Sequence, residues 1–259
     1  MRTSSIESAA NTRVKLWASL QTGKGRRETG LFLAEGPRVL ATAAASGAHA
    51  LALLLDASRY SEPPAGLPNA DEAVLLSPAA MAKISAVENG QGMAAVYQIP
   101  VAPEFPIEGE LLVLAAQGVQ DPGNLGTMIR IAAACRCGLF AAVDDCADPW
   151  SPKVVRASAG LLFAMPVLAT DSSTLLRLCE RSTVQVYAAT GEDGTDHRTA
   201  TVSARALLAI GSEGAGLSKV WTETAQKVTI RMWEGCESLN AAIAAGILTH
   251  AFASRLGRI

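Results

Sequence analysis

Apolar positions fall in short blocks along this chain, separated by polar and turn-forming residues. Runs of four to eight mostly apolar residues occupy 31–34, 50–55, 73–76, 92–99, 111–116, 139–143, 184–189, 206–210 and 227–232. Bounded as they are by Gly, Pro, Asn and Asp, such runs predict buried strands. Between them lie stretches of good helix formers at 11–21, 37–46, 78–85, 127–134, 175–180 and 241–256. Pro37 and Pro78 suit a first helical turn, where the missing N–H costs nothing. The segment 61–69 holds three prolines and a glycine, and residues 23–27 (Gly-Lys-Gly-Arg-Arg) read as a basic turn. Strands alternating with helices predict an α/β architecture.

The pattern breaks once. Pro100, Pro103, Pro106 and Gly109 crowd ten residues, which reads as a linker over 100–109. It separates a compact α/β unit over 1–99 from a second α/β domain over 110–259.

Composition narrows the classes. With 49% hydrophobic and 18% charged residues among 259, a packed core is expected and extensive disorder is not. No apolar run approaches the roughly 20 residues that span a bilayer. From the polar start, Met1-Arg2-Thr3-Ser4-Ser5, no secretory signal is expected. Five cysteines without a Cys-x-x-Cys pair fit free thiols in a reducing cytoplasm better than a disulfide framework. His49, His197 and His250 lie far apart, so no metal site is expected, and the acidic loop Asp144-Asp145-Cys146-Ala147-Asp148 reads as an ordinary strand end. The net charge of −2 hides a basic end: residues 1–40 carry seven Lys and Arg against three Glu. Local contact with a polyanion would use such a patch, through Arg13, Lys15, Lys24, Arg26 and Arg27. Lys153 and Arg156, one helical turn apart, could face a phosphate backbone as well.

The chain is organised around 111–137. An apolar strand runs into Asp121-Pro122-Gly123-Asn124-Leu125-Gly126 and then into a helix carrying a single charge, Arg130. Strand, turn and helix present polar groups at the carboxyl edge of a parallel sheet. Asn124 is expected to cap the helix. Arg130 reads equally as a surface arginine or as a phosphate-binding arginine in a cleft, with Gly126 leaving space above its guanidinium. Two further segments share that edge. The strand at 206–210 runs into Gly211-Ser212-Glu213-Gly214-Ala215-Gly216, where three glycines in six residues imply close backbone approach or positive φ. The spacing matches neither a phosphate loop nor a dinucleotide fingerprint. Ser238 is expected to cap the last helix, with Asn240 in its first turn pointing back toward a ligand.

Taken together these segments resemble one family. Asn124-Leu125-Gly126 with Arg130, Ile210 to Gly214 with Gly216-Leu217-Ser218, and Val228-Ile230-Met232 followed by Glu237-Ser238-Leu239-Asn240 look like the three motifs of the SpoU (TrmH-type) RNA 2′-O-ribose methyltransferases of the SPOUT class. Residues 11–40 are similar to the small substrate-binding domain that many members carry, so the resemblance covers nearly the whole chain. Ser212 replaces the usual Asn of the second motif.

The resemblance implies a small N-terminal α/β RNA-binding domain and an α/β SPOUT domain whose C-terminal segment is threaded into a deep trefoil knot. It also implies a homodimer with residues of both subunits at each site, and S-adenosylmethionine as cofactor. Thr190, Gly191, Ile210, Gly211, Glu213, Gly214, Ile230, Met232, Ser238 and Leu239 would hold that cofactor. Arg130, Asn124, Glu213, Ser238 and Asn240 would form the reacting pocket. The expected reaction is methylation of a ribose 2′-hydroxyl, in ribosomal RNA before transfer RNA. A non-catalytic RNA-binding protein of the same fold, and an unrelated nucleotide-binding enzyme, are the alternatives.

Overall fold

The computed structural model describes residues 1–259 apart from 88, 89, 192, 236 and 237. Glu237, part of the third motif, therefore lies outside the described residues. The chain divides into two compact units: Met1–Val101 with Trp150–Ala164, and Ala102–Pro149 with Met165–Ile259.

The first unit contains β1 (Arg2–Ile6), α1 (Thr12–Ser19), α2 (Gly23–Thr29), β2 (Leu31–Glu35), α3 (Pro37–Ala45), β3 (Ala50–Asp56), β4 (Ala70–Leu76), α4 (Pro78–Ile84) and β5 (Met93–Gln98). Its sheet runs β1-β4-β3-β5-β2. Strands β1, β4 and β3 are parallel, and β5 runs antiparallel to β3 and β2. Val14, Trp17, Leu20, Leu33, Leu54, Val74, Met81 and Val96 pack its core.

Two elements here were not expected. Strand β1 is polar in sequence (Arg-Thr-Ser-Ser-Ile) and forms because β4 offers an open edge, in register from Arg2–Glu72 to Ile6–Leu76. The basic segment expected as a turn is helix α2. Thr22 caps it by accepting from the Gly25 N–H, and Gly30 ends it in the left-handed region at φ 68°. Gly25 faces Ser19, where a Cβ would come within 2.2 Å of the carbonyl oxygen.

The second unit contains β6 (Leu111–Gln117), α5 (Pro122–Ala134) and β7 (Leu139–Val143). Helix α6 (Pro152–Ala157) follows in the chain but belongs to the first unit. The second unit then resumes with β8 (Val167–Thr170), α7 (Ser172–Arg181), β9 (Gln185–Thr190), β10 (Thr195–Asp196), β11 (Arg205–Gly211), α8 (Lys219–Thr224), β12 (Gln226–Thr229) and α9 (Ala241–Arg255). Its sheet is ordered β10-β12-β9-β11-β6-β7-β8, every pair parallel. All seven residues of β6 are buried, as befits a central parallel strand covered on both faces. One covering layer brings α9 against α5, β6 and β11. The opposite face packs Val113, Ala141, Val143, Leu175, Leu207 and Trp221.

The second domain was expected to run unbroken from 110 to 259. Instead Trp150–Ala164 packs with the first unit, because its aromatic side chains complete a cluster there. Phe32 meets Trp150 at 5.0 Å and Phe163 at 5.7 Å, and Phe163 meets Tyr97 at 4.6 Å between ring centroids. Rings at these separations add to the stability that their buried area provides.

Among the described residues no helix is long and apolar enough to cross a membrane. Cys135, Cys137, Cys146 and Cys179 are free thiols, and all but Cys146 are buried.

Candidate functional site

Loops leaving the carboxyl ends of β9, β11 and β12 enclose an open cavity of about 220 Å³. Each loop is built from what its sequence permits. After β11 the chain doubles back so tightly that the Gly216 N–H donates to the Ser212 carbonyl at 3.0 Å. A Cβ on Gly211 would lie 2.1 Å from the Gly216 carbonyl carbon, so only glycine admits this approach. Gly216 supplies the positive φ of 63° that the turn requires. The notch therefore uses close approach at one glycine and left-handed backbone at another, and Gly214 is in open space.

Of the residues expected to hold a cofactor, Thr190, Gly191, Ile210, Gly211, Glu213, Ile230, Met232, Ser238 and Leu239 all line this cavity. Gly214 does not. Sequence reasoning missed Ala189, Ser212, Gly216, Ala241, Ala244 and Leu248, which also line it. The last three sit on the face of α9 that turns inward, and helical spacing was the available signal.

At the rim, three residues distant in sequence meet. The Asn124 amide donates to Glu213 Oε1 at 2.9 Å. The Asn240 amide donates to Asn124 Oδ1 at 3.0 Å and also to Glu213 Oε1. The Ala241 N–H points at the same carboxylate oxygen at 3.4 Å. One carboxylate thus gathers the starts of α5 and α9, where helix dipoles favour negative charge.

That meeting explains two corrections at the helix starts. Asn124 was expected to cap α5, but Asp121 does so, accepting from the Asn124 N–H at 2.7 Å. Asn124 then stands inside the first turn with its side chain available to Glu213. Ser238 was expected to cap α9, but Asn240 does so through Oδ1, accepting from the Ala242 and Ile243 N–H groups at 3.0 and 3.2 Å. Its Nδ2 remains to reach Asn124 and Glu213.

A second polar group braces the loop from below. Gln117, 8% exposed at the end of β6, accepts from the Ser218 N–H at 2.9 Å and donates to Ser218 Oγ at 2.8 Å and Asp144 Oδ2 at 2.7 Å. Ser172 donates to Asp144 and accepts from Trp221 Nε1 at 2.8 Å. Burial raises the Asp144 carboxyl, but the hydrogen bonds from Ser172 and Gln117 outweigh it and hold the group below its ordinary value. Nothing in the sequence marked this network.

Arg130 takes no part in the hydrogen bonds that join Asn124, Glu213 and Asn240. It is exposed, and its guanidinium makes no hydrogen bond or ion pair with any described residue. Gly126, one turn earlier on the helix, is buried.

The basic residues sort differently from the expectation. Lys15, Lys24, Arg27 and Lys153 are exposed. Arg26 is not available to a polyanion: it is 4% exposed, and its Nη1 donates to the Leu20 carbonyl at 2.7 Å, closing the C-terminus of α1. Arg13 pairs with Glu72 and lies over the Trp17 ring at 4.7 Å. Arg156 is half-buried, with Nη1 enclosed. Among the described residues no group of His, Cys, Asp and Glu is placed to hold a metal.

Residues 111–250 match the SpoU rRNA Methylase family and residues 11–95 match the MRM3-like substrate binding domain. Over 247 residues the chain is 33% identical to the 23S rRNA guanosine 2′-O-methyltransferase RlmP of Bacillus subtilis, covering 95% of this chain and 97% of that one. It is 30% identical to a 23S rRNA uridine 2′-O-methyltransferase of Streptomyces viridochromogenes, covering 95% and 91%. The AdoMet-bound rRNA methyltransferase from Sinorhizobium meliloti superposes with a TM-score of 0.85 at 28% identity, over 98% of each chain.

Proposed function

The chain belongs to the SpoU rRNA methylase family, and from that premise we propose that it methylates a ribose 2′-hydroxyl of ribosomal RNA, with S-adenosylmethionine as donor. The observation that carries this reading is the joining of Asn124, Glu213 and Asn240 on the rim of the cavity. Support for ribosomal RNA comes from the two relatives named for 23S rRNA, each matching 95% of the chain.

The cavity fits the donor chemically. Ile210, Ile230, Met232, Leu239 and Leu248 offer an apolar wall for a flat base, and Thr190, Glu213 and Ser238 offer polar partners for ribose and amino acid. The cofactor supplies an activated methyl group, which leaves alignment and proton removal to the protein. Glu213, held by two amides, fixes the geometry beside the cavity. Asn124 and Asn240 present polar groups where a hydroxyl would approach, with Ser238 beside them. Arg130 binds a phosphate next to the target ribose, its planar fork matching two oxygens.

The same reading makes the protein a homodimer. Ile243 and Ile247, one turn apart on α9, are 56% and 36% exposed, an apolar stripe that a second copy would cover. Arg130, exposed and without a partner among the described residues of its own chain, would then serve the site of the other subunit. The C-terminal segment would be threaded as the knot of the class. Reaction in the cytoplasm suits the free thiols. RNA would be held through Lys15, Lys24, Arg27 and Lys153.

The test is methyl transfer from labelled S-adenosylmethionine to unmodified ribosomal and transfer RNA in parallel, with digestion to nucleosides. A 2′-O-methyl nucleoside from ribosomal RNA is the expected product. Label only in transfer RNA would move the substrate, and no label with no cofactor binding would leave the non-catalytic reading.

A further inference from the structure

Regular pairing of β12 ends at Thr229, yet the next three residues form one wall of the cavity. Thr229 itself is tied on both sides: its Oγ1 donates to the Gly191 carbonyl at 3.1 Å, and its carbonyl accepts from the His197 N–H at 2.9 Å. Beyond it, Ile230, Arg231 and Met232 run on outside any strand. Ile230 and Met232 line the cavity. In extended chain successive side chains alternate in direction, so Arg231 turns away from the cavity when its neighbours turn in. On that outer side it meets Asp196 of the two-residue strand β10, with Arg231 Nε 3.1 Å from Asp196 Oδ2. Strand β10 pairs Thr195 with Val228 and Asp196 with Thr229, so the carboxylate stands beside the last paired residue of β12.

We propose that Asp196 is a positioning residue for the cofactor pocket, clamping Arg231 so that Ile230 and Met232 hold the wall against the bound cofactor. This rests on the cavity being the S-adenosylmethionine site. Asp196 is well prepared for the role. It is 8% exposed, while Arg231 and Arg198 lie largely in solvent. Arg198 fixes the carboxylate from its own loop, donating from its backbone N–H at 2.9 Å and from Nε and Nη2 at 3.0 and 2.7 Å. Hydrogen bonds from Arg198 hold the Asp196 carboxyl well below the usual carboxylate range, so it is charged at any working pH. The carboxylate therefore keeps its orientation independently of Arg231, and Arg231 brings the wall to it.

The test uses Arg231→Met, Arg231→Lys, Asp196→Asn and Arg198→Met in the full-length protein. Hydrogen exchange of the 229–233 amides without ligand reads the clamp directly, and calorimetry with S-adenosylmethionine reads its consequence. Arg231→Met and Asp196→Asn are expected to speed exchange about tenfold and weaken cofactor binding about tenfold. The double variant should lose no more than either single one, which marks a shared interaction. Arg231→Lys should recover part of the affinity, and Arg198→Met, which loosens the carboxylate without removing it, should fall between wild type and Arg231→Met in both readouts. KM for RNA should not move. If Asp196→Asn does not fold, Arg231→Met, on the surface, carries the test. Exchange and affinity unchanged in Arg231→Met, or losses that add in the double variant, overturn the clamp. Faster exchange in a protein that binds no S-adenosylmethionine upholds the clamp and overturns the cofactor reading instead.

Discussion

Asn240 does two things with one amide. Its oxygen caps α9 and its nitrogen reaches Glu213 and Asn124. Asn240→Asp separates them, since aspartate caps as well as asparagine but brings a second negative charge to Glu213. The expected result is a melting temperature within a few degrees of wild type and turnover lowered about 10- to 150-fold, the loss of a charge-assisted hydrogen bond worth about 1.5–3 kcal/mol. Arg130→Ala should lower turnover about 100-fold or more while cofactor affinity stays within about threefold, as expected of a guanidinium that acts on the RNA phosphate. Equal losses in both would remove Arg130 from that role. The thiols predict a pH effect of definite sign. Burial pushes Cys137 and Cys179 up to about 12, so the folded state favours the protonated thiol. That contribution is complete below the ordinary thiol value of about 8.5 and fades as pH rises from there toward 12. The urea midpoint should therefore fall above about pH 9, and less steeply in the variant with Cys137→Ala and Cys179→Ala.

At the scale of elements, the decisive piece is the notch after β11. Gly211→Ala places a Cβ 2.1 Å from the Gly216 carbonyl carbon, a clash with backbone that no rotamer relieves. Stability should drop by about 1–3 kcal/mol and cofactor binding should be lost, by thermal melting and calorimetry. Gly214→Ala meets nothing within 4 Å and should bind as wild type does. The three glycines were legible in the sequence as a place of close approach, but which one needed it was not. Element type was readable wherever a sustained apolar run left little choice, as in β6, β11 and α9. It failed where a partner decided the matter: β1 is polar but finds the edge of β4, and α2 is held by its caps and by Gly25 against Ser19. The caps of α5 and α9 were misplaced for one reason. Asp121 and Asn240 each satisfy the free N–H groups of a helix start, and which residue stands just outside the first turn is fixed only when the fold sets where the helix begins.

At the scale of the molecule, the exposed stripe on α9 carries the assembly prediction. Aspartate at Ile243 and Ile247 together should convert a dimer into monomer by sedimentation and lower turnover, with cofactor affinity falling less. A wild-type monomer would end the idea that Arg130 crosses to a second subunit. The chain's own alternation of short apolar runs and helical stretches determined the α/β class and the three segments that meet at the sheet edge, because burial period and turn chemistry are local properties. Only the tertiary structure decided which charges are paired within the fold. Arg26 closes α1, Arg13 pairs with Glu72, Asp196 holds Arg231, and Trp150–Ala164 leaves its neighbours in sequence to pack against Phe32. A charged side chain carries no mark of its partner in sequence. Its role is set by which groups, tens of residues away, are brought within hydrogen-bonding distance when the core closes.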